Sequence, residues 1–192
     1  MLATNPLAPL LNRRSTPSRQ LGGAEPEPAV LRRLLEAAVR VPDHGKLEPF
    51  RLILLKGAAK VAFGERLAAR ALRRSPDLTP AQQEKERLRY TFAPVVIAVI
   101  ACIDADSSVP ALEQHLSAGC VAYNLLLGAS ALGLGAQWLT GWAADDAEVA
   151  ALLGLDGNER PIAFVHIGTP KQAAAERERP DLARVLSVWT PA

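Results

Sequence analysis

The chain has 192 residues, of which 49% are hydrophobic, enough for one domain with a substantial core. A net charge of +2 is too small to imply a polyanionic partner. The bases also alternate with acids, as in the runs 85–89 (KERLR) and 177–181 (RERPD), which marks solvated faces rather than a nucleic-acid groove.

The N-terminal run MLATNPLAPLLNRRS has no charged region before its apolar residues and is broken by prolines, so no signal peptide is expected. The span Ala118–Leu139 is interrupted by Gly, Asn, Gln and Ser, and no stretch reaches the roughly 20 apolar residues of a membrane span. Next, Glu27–Val39 carries Val30, Leu31, Leu34, Leu35 and Ala38 at helical spacing, which predicts an amphipathic helix that starts through Pro28 and stops before Pro42. Arg51–Lys56 reads as a short buried strand closed by Gly57, and Ala58–Arg74 returns to helical period. Ser75–Pro80 is a loop by composition, followed by a charged helix from about Ala81 to Arg89.

Pro94–Cys102 (PVVIAVIAC) has the β-branched density of a central strand. Ala111–Leu132 is rich in Ala, Gly and Leu on every side, which predicts a helix buried all round and packed partly against a second subunit. Gln137–Leu139 fits a short strand, Ala144–Leu153 a helix and Arg160–Gly168 another strand, before a tail, Lys171–Ala192, that turns apolar at Val185–Trp189. Helices and strands interleave without regular alternation, which points to an α+β sandwich with one sheet between helices. Cys102 and Cys120 lie in apolar surroundings without CxxC spacing, so they read as buried thiols of a reducing cytoplasm.

Four segments gather polar chemistry. Arg13-Arg14-Ser15 offers guanidinium forks and a hydroxyl to a phosphate; alone, it reads as two surface arginines near a chain end. The run Arg40–Arg51 (RVPDHGKLEPFR) packs Arg40, Asp43, His44, Lys46 and Glu48 into a turn forced by Pro42 and Gly45. Leu132–Gly141 has glycines at 133, 135 and 141 but follows a helix rather than a strand, unlike a dinucleotide fingerprint. Arg177 and Arg179 precede Pro180 near the C-terminus. No nucleophile elbow, HExxH or P-loop occurs, and His44, His115 and His166 have no metal-ligand spacing.

Taken together, Arg13–Thr16 (RRST), Arg40–Arg51 and Ala131–Gly141 (ALGLGAQWLTG) resemble the flavin-dependent nitroreductase family, in its small single-domain branch where a histidine follows Pro-Asp. The resemblance runs from about Leu10 to the tail. It implies one domain over residues 1–192: a three-layer sandwich with a central, mostly antiparallel sheet flanked by helices, interlocked as a homodimer with FMN at the subunit interface.

It also implies the ligands. Arg13, Arg14 and Ser15 would lie on the FMN phosphate and ribityl side. Arg40 and His44 would reach the FMN of the other subunit, Trp138, Leu139 and Thr140 would lie beside the flavin, and Arg179 would come to the phosphate. Lys85 matches a basic position near the ring. Pro17 stands where relatives often have a base, so the next one is Arg19. The implied activity is cytoplasmic NAD(P)H-dependent reduction of nitroaromatics, quinones or similar electron-poor acceptors by ping-pong hydride transfer, with no catalytic side chain, no metal and no nucleic-acid or membrane partner. The alternatives are a flavin-binding or carrier protein without turnover and a member that uses flavin itself as substrate.

Overall fold

The computed structural model describes residues 5–191; the first four residues of the N-terminal run and Ala192 of the tail lie outside them. In chain order the elements are α1 (Ala8–Asn12), β1 (Leu21–Gly22), α2 (Pro28–Ala38), β2 (Phe50–Lys56), α3 (Gly57–Arg74), α4 (Pro80–Leu88) and β3 (Val95–Cys102). They continue with α5 (Ala111–Ala131), β4 (Gly135–Leu139), α6 (Ala147–Leu152), β5 (Glu159–Pro170) and α7 (Leu182–Val185).

The β-branched run of β3 is buried from Val95 to Ala101. Its pleat sends Val95, Ile97 and Val99 to one face with α2 and α5, and Val96, Ala98 and Ile100 to the other with Phe63, Leu67 and Tyr90. β5 sorts its residues likewise, with Ala163, Val165 and Ile167 on the α5 side and Phe164 opposite. The sheet runs β4-β5-β3-β2, with β1 paired to the C-terminal end of β5, and every one of these pairings is antiparallel. The result is helices, sheet, helices. Each fully buried Leu, Ile, Val or Phe contributes roughly 1.5–3 kcal/mol to holding those layers together.

The predicted helices and strands are present, with local differences. β2 is an edge strand, largely half-buried with Leu55 fully inside, rather than a buried one. The apolar run RLILLK does not encode which neighbour it lacks. The helix expected from Ala144 begins at Ala147 because Trp142–Ala144 forms a 3-10 turn and Asp146 caps α6 through the amides of Glu148 and Val149. The same carboxylate takes the Arg70 fork and Arg74, at 3.0 and 2.6 Å. Arg70 foremost holds its carboxyl down at about 2, which fastens α6 to α3.

α5 is not buried all round within the chain. Val121, Ala122, Leu125 and Ala129 face the sheet, while Leu112, Leu116, Cys120 and Tyr123 are exposed. Those four recur at helical spacing and form one apolar stripe. Cys120 is thus exposed and Cys102 half-buried, not a pair of core thiols. Among the described residues no helix is long and apolar enough to cross a membrane.

Candidate flavin site

The segment after α1 is tied along the start of β4. Thr16 donates its amide to the Ala136 carbonyl at 3.0 Å, and the Ser18 amide donates to Gln137 Oε1. Gly135 makes the approach possible. A Cβ there would stand 2.7 Å from Leu21, 2.9 Å from Pro170 and 3.0 Å from Thr16 Oγ1.

This docking brings the two ends of the chain together. Arg179 donates to the Arg13 carbonyl at 3.2 Å, and Arg14 and Arg179 both pair with Glu176. Arg13 is half-buried, its guanidinium 3.3 Å from Ser15 Oγ and 5.9 Å from the centre of the Tyr123 ring on α5. Among the described residues it has no carboxylate partner. Two cations compensated by Glu176 and one uncompensated cation beside a hydroxyl therefore make a donor set suited to a phosphate dianion.

Beside it opens a cleft of about 440 Å³ lined by Pro17, Ser18, Arg19, Lys85, Arg89, Phe92, Gln137 and Leu139. Arg19, Lys85 and Leu139 thus come together. Trp138 does not join them. The pleat of β4 turns it to the opposite face, where its indole donates to the Ile162 carbonyl at 3.2 Å. Thr140 is exposed just past the strand. Arg89 is fixed by Glu86 at 2.7 Å and passes close to Gly141, where a Cβ would lie 3.2 Å from Nη1.

Arg40 and His44 lie elsewhere in the chain. His44 donates to Glu113 near the start of α5 at 2.7 Å and lines a separate cleft with Leu116 and Cys120. Arg40 is exposed, and its carbonyl accepts from Asn124. Asp43, in the same polar run, builds the turn: its carboxylate accepts from the amides of Leu47 and Glu48 while Lys46 and Glu48 adopt left-handed backbone.

Behind the cleft wall the sequence had given no sign of a buried polar pair. Tyr90 and His166 are fully buried with ring centres 5.4 Å apart, and among the described residues neither the phenol oxygen nor either imidazole nitrogen has a hydrogen-bond partner. Burial first, then the charges of Arg89 and Lys60, push the imidazole down to about 3. A folded value below the unfolded 6.5 means that the unfolded chain binds the proton better, so this group leaves stability intact above pH 6.5 and erodes it as pH falls toward 3. At about 1.4 kcal/mol per pH unit, wild-type protein should lose about 2 kcal/mol more than His166→Leu between pH 7 and pH 5. Urea unfolding at the two pH values measures the difference; equal losses would contradict it.

Comparison with known proteins places the chain in a family. The chain matches the profile described as "Nitroreductase family" over residues 10–169. It is 36% identical over 162 residues to a Haemophilus influenzae protein named "Putative NAD(P)H nitroreductase", covering 84% of this chain and 86% of that one. The chain belongs to the nitroreductase family.

Its fold is that of nitroreductase-like proteins. The Bacillus cereus nitroreductase-like protein superposes with a TM-score of 0.81 at 20% identity, covering 98% of this chain and 97% of that one. A Bacteroides fragilis nitroreductase with bound FMN gives 0.73 at 22% identity, covering 97% and 100%. Within this nitroreductase-family chain, Arg89, Phe92 and Gln137 were missed from sequence. Arg89 follows Lys85 by four residues, so the helical period places both on one face, and Gln137 shares the strand period with Leu139. Those signals existed, but only the β4–β5 register, Gln137 opposite His166, says which face is the cleft. Among the described residues, no group of His, Cys, Asp or Glu can hold a metal ion.

Proposed function

We propose that the chain is a single-domain, FMN-dependent oxidoreductase that takes electrons from NAD(P)H and passes them to an electron-poor acceptor such as a nitroaromatic or quinone. The observation that carries this reading is the meeting of Arg13, which has no carboxylate partner among the described residues, with Ser15 and Arg179, two residues along the chain from the 440 Å³ cleft that Pro17, Ser18 and Arg19 help to line. Cations and a hydroxyl fit the FMN phosphate, and the apolar surfaces of Pro17, Phe92 and Leu139 fit a planar ring. The bound FMN of the B. fragilis relative and the name of the H. influenzae relative support it.

When bound, FMN supplies hydride acceptance and donation. The chain's own residues hold and shape. Arg13, Arg14, Ser15 and Arg179 fix the phosphate, while Lys85 offers positive charge to the ring edge that becomes anionic on reduction. Leu139 and Thr140, with Trp138 behind them, shape the wall. Both reactants use the same cleft in turn, so the cycle is ping-pong.

The protein works in the cytoplasm as a homodimer, and Arg40 and His44, remote from the cleft in one subunit, serve the FMN of the other. The exposed stripe Leu112, Leu116, Cys120 and Tyr123 on α5 supports that assembly. The test is anaerobic. The purified yellow protein should bleach on addition of NADH or NADPH and regain colour on addition of a nitroaromatic; a yellow protein inert to both nicotinamides would instead be a flavin binder without turnover.

A further inference from the structure

The cleft is lopsided in charge. Its lining includes three cations, Arg19, Lys85 and Arg89, and no carboxylate. Glu86 neutralises Arg89, whereas Arg19 and Lys85 are exposed and, among the described residues, have no acidic partner. Nearby acids are engaged elsewhere, Glu84 with Arg87 and Glu25 with Lys56. Lys171 adds a further cation on the same rim, its ammonium 3.5 Å from the Arg19 carbonyl and likewise without a carboxylate.

Arg13, Ser15 and Arg179 are not among the residues that line the cleft. With FMN held by them and its ring edge at Lys85, the charges of Arg19 and Lys171 are left for whatever comes to the cleft mouth. Cations around an apolar cleft focus the field and raise the association rate of anions by tenfold or more at low salt. NADPH differs from NADH by one phosphate on the adenosine ribose, close to two extra negative charges.

We infer that Arg19 and Lys171 make the cleft selective for dinucleotides bearing the additional phosphate, so that NADPH is preferred to NADH. This rests on the functional reading above and narrows its electron donor. Because steering acts over a Debye length, about 30 Å at 0.01 M salt and 8 Å at 0.15 M, the preference weakens as salt rises.

Binding tests it without turnover. FMN-loaded protein is titrated calorimetrically with 2′,5′-ADP and with 5′-AMP at 0.01 and 0.15 M ionic strength. The expected result is affinity for 2′,5′-ADP about tenfold higher at low salt, narrowing at the higher salt. Lys171→Glu, a reversal of an exposed residue outside the cleft lining, should lower that ratio severalfold, and Arg19→Glu combined with it should abolish the ratio. Equal affinities in the wild type, or a ratio that survives the double reversal, would overturn the inference. Steady-state kcat/KM for the two nicotinamides gives the parallel arm. Turnover with equal values would sink this inference alone, whereas failure of both nicotinamides to bleach the flavin would sink the oxidoreductase reading while the binding ratio still decides the preference.

Discussion

Replacing Arg13 by alanine is expected to leave a folded protein that binds FMN about tenfold to a hundredfold more weakly. A charge-assisted hydrogen bond to phosphate is worth roughly 1.5–3 kcal/mol. Arg13 meets that role because it is the member of its cluster without a carboxylate, while Arg14 and Arg179 share Glu176. Its loss removes no core side chain, so the apoprotein should stay within about 0.5 kcal/mol of wild type in urea. Affinity for riboflavin, which lacks the phosphate, should barely change. Equal losses for riboflavin and FMN, or none for either, would show that Arg13 does not clamp the phosphate.

In the homodimer proposed above, Leu116→Glu is expected to split the dimer and strip the FMN with it. Leu116 is 59% exposed in the single chain, so a glutamate there is hydrated in the monomer and the fold should survive. In a twofold interface built on α5, by contrast, two such carboxylates would be desolvated without partners. That costs several kcal/mol per charge, a weakening of association of about a hundredfold or more. Sedimentation should give a folded monomer, and the site that the proposal completes with Arg40 and His44 from the other subunit should lose its colour. A Leu116→Glu dimer as tight as wild type, or a yellow monomer, would contradict the shared-site reading.

How much of this was legible in the sequence follows from the range of the interactions involved. The identity and period of β3 and α2 sufficed because β-branched density and a single apolar stripe are local properties, and both elements are where the pattern put them. The all-round apolar composition of α5 signalled contact beyond one layer. It did not reveal that the sheet covers only one face and leaves Leu112, Leu116 and Tyr123 outside. β1 is two residues long, too short for any period, and exists because Gly135 lets the segment before it lie against β4.

The site divides in the same way. Arg13 and Arg179 were readable through family resemblance, yet their meeting across 166 positions is a tertiary fact. Trp138 shows the limit of spacing alone. Its neighbours Gln137 and Leu139 line the cleft while it faces away, and that parity is set by pairing with β5. His166 had no motif to betray it, because a buried imidazole without partners is recognised only by what surrounds it.

The central claim is that one FMN lies with its phosphate at Arg13, Ser15 and Arg179 and its ring in the cleft beside Gln137 and Leu139. A crystal structure of the protein grown with FMN tests it most directly. The account predicts phosphate oxygens within hydrogen-bond distance of the Arg13 guanidinium and the ring against Leu139, with His44 and Arg40 arriving from the partner subunit. FMN bound away from Arg13, or no FMN bound at saturating concentration, would contradict it.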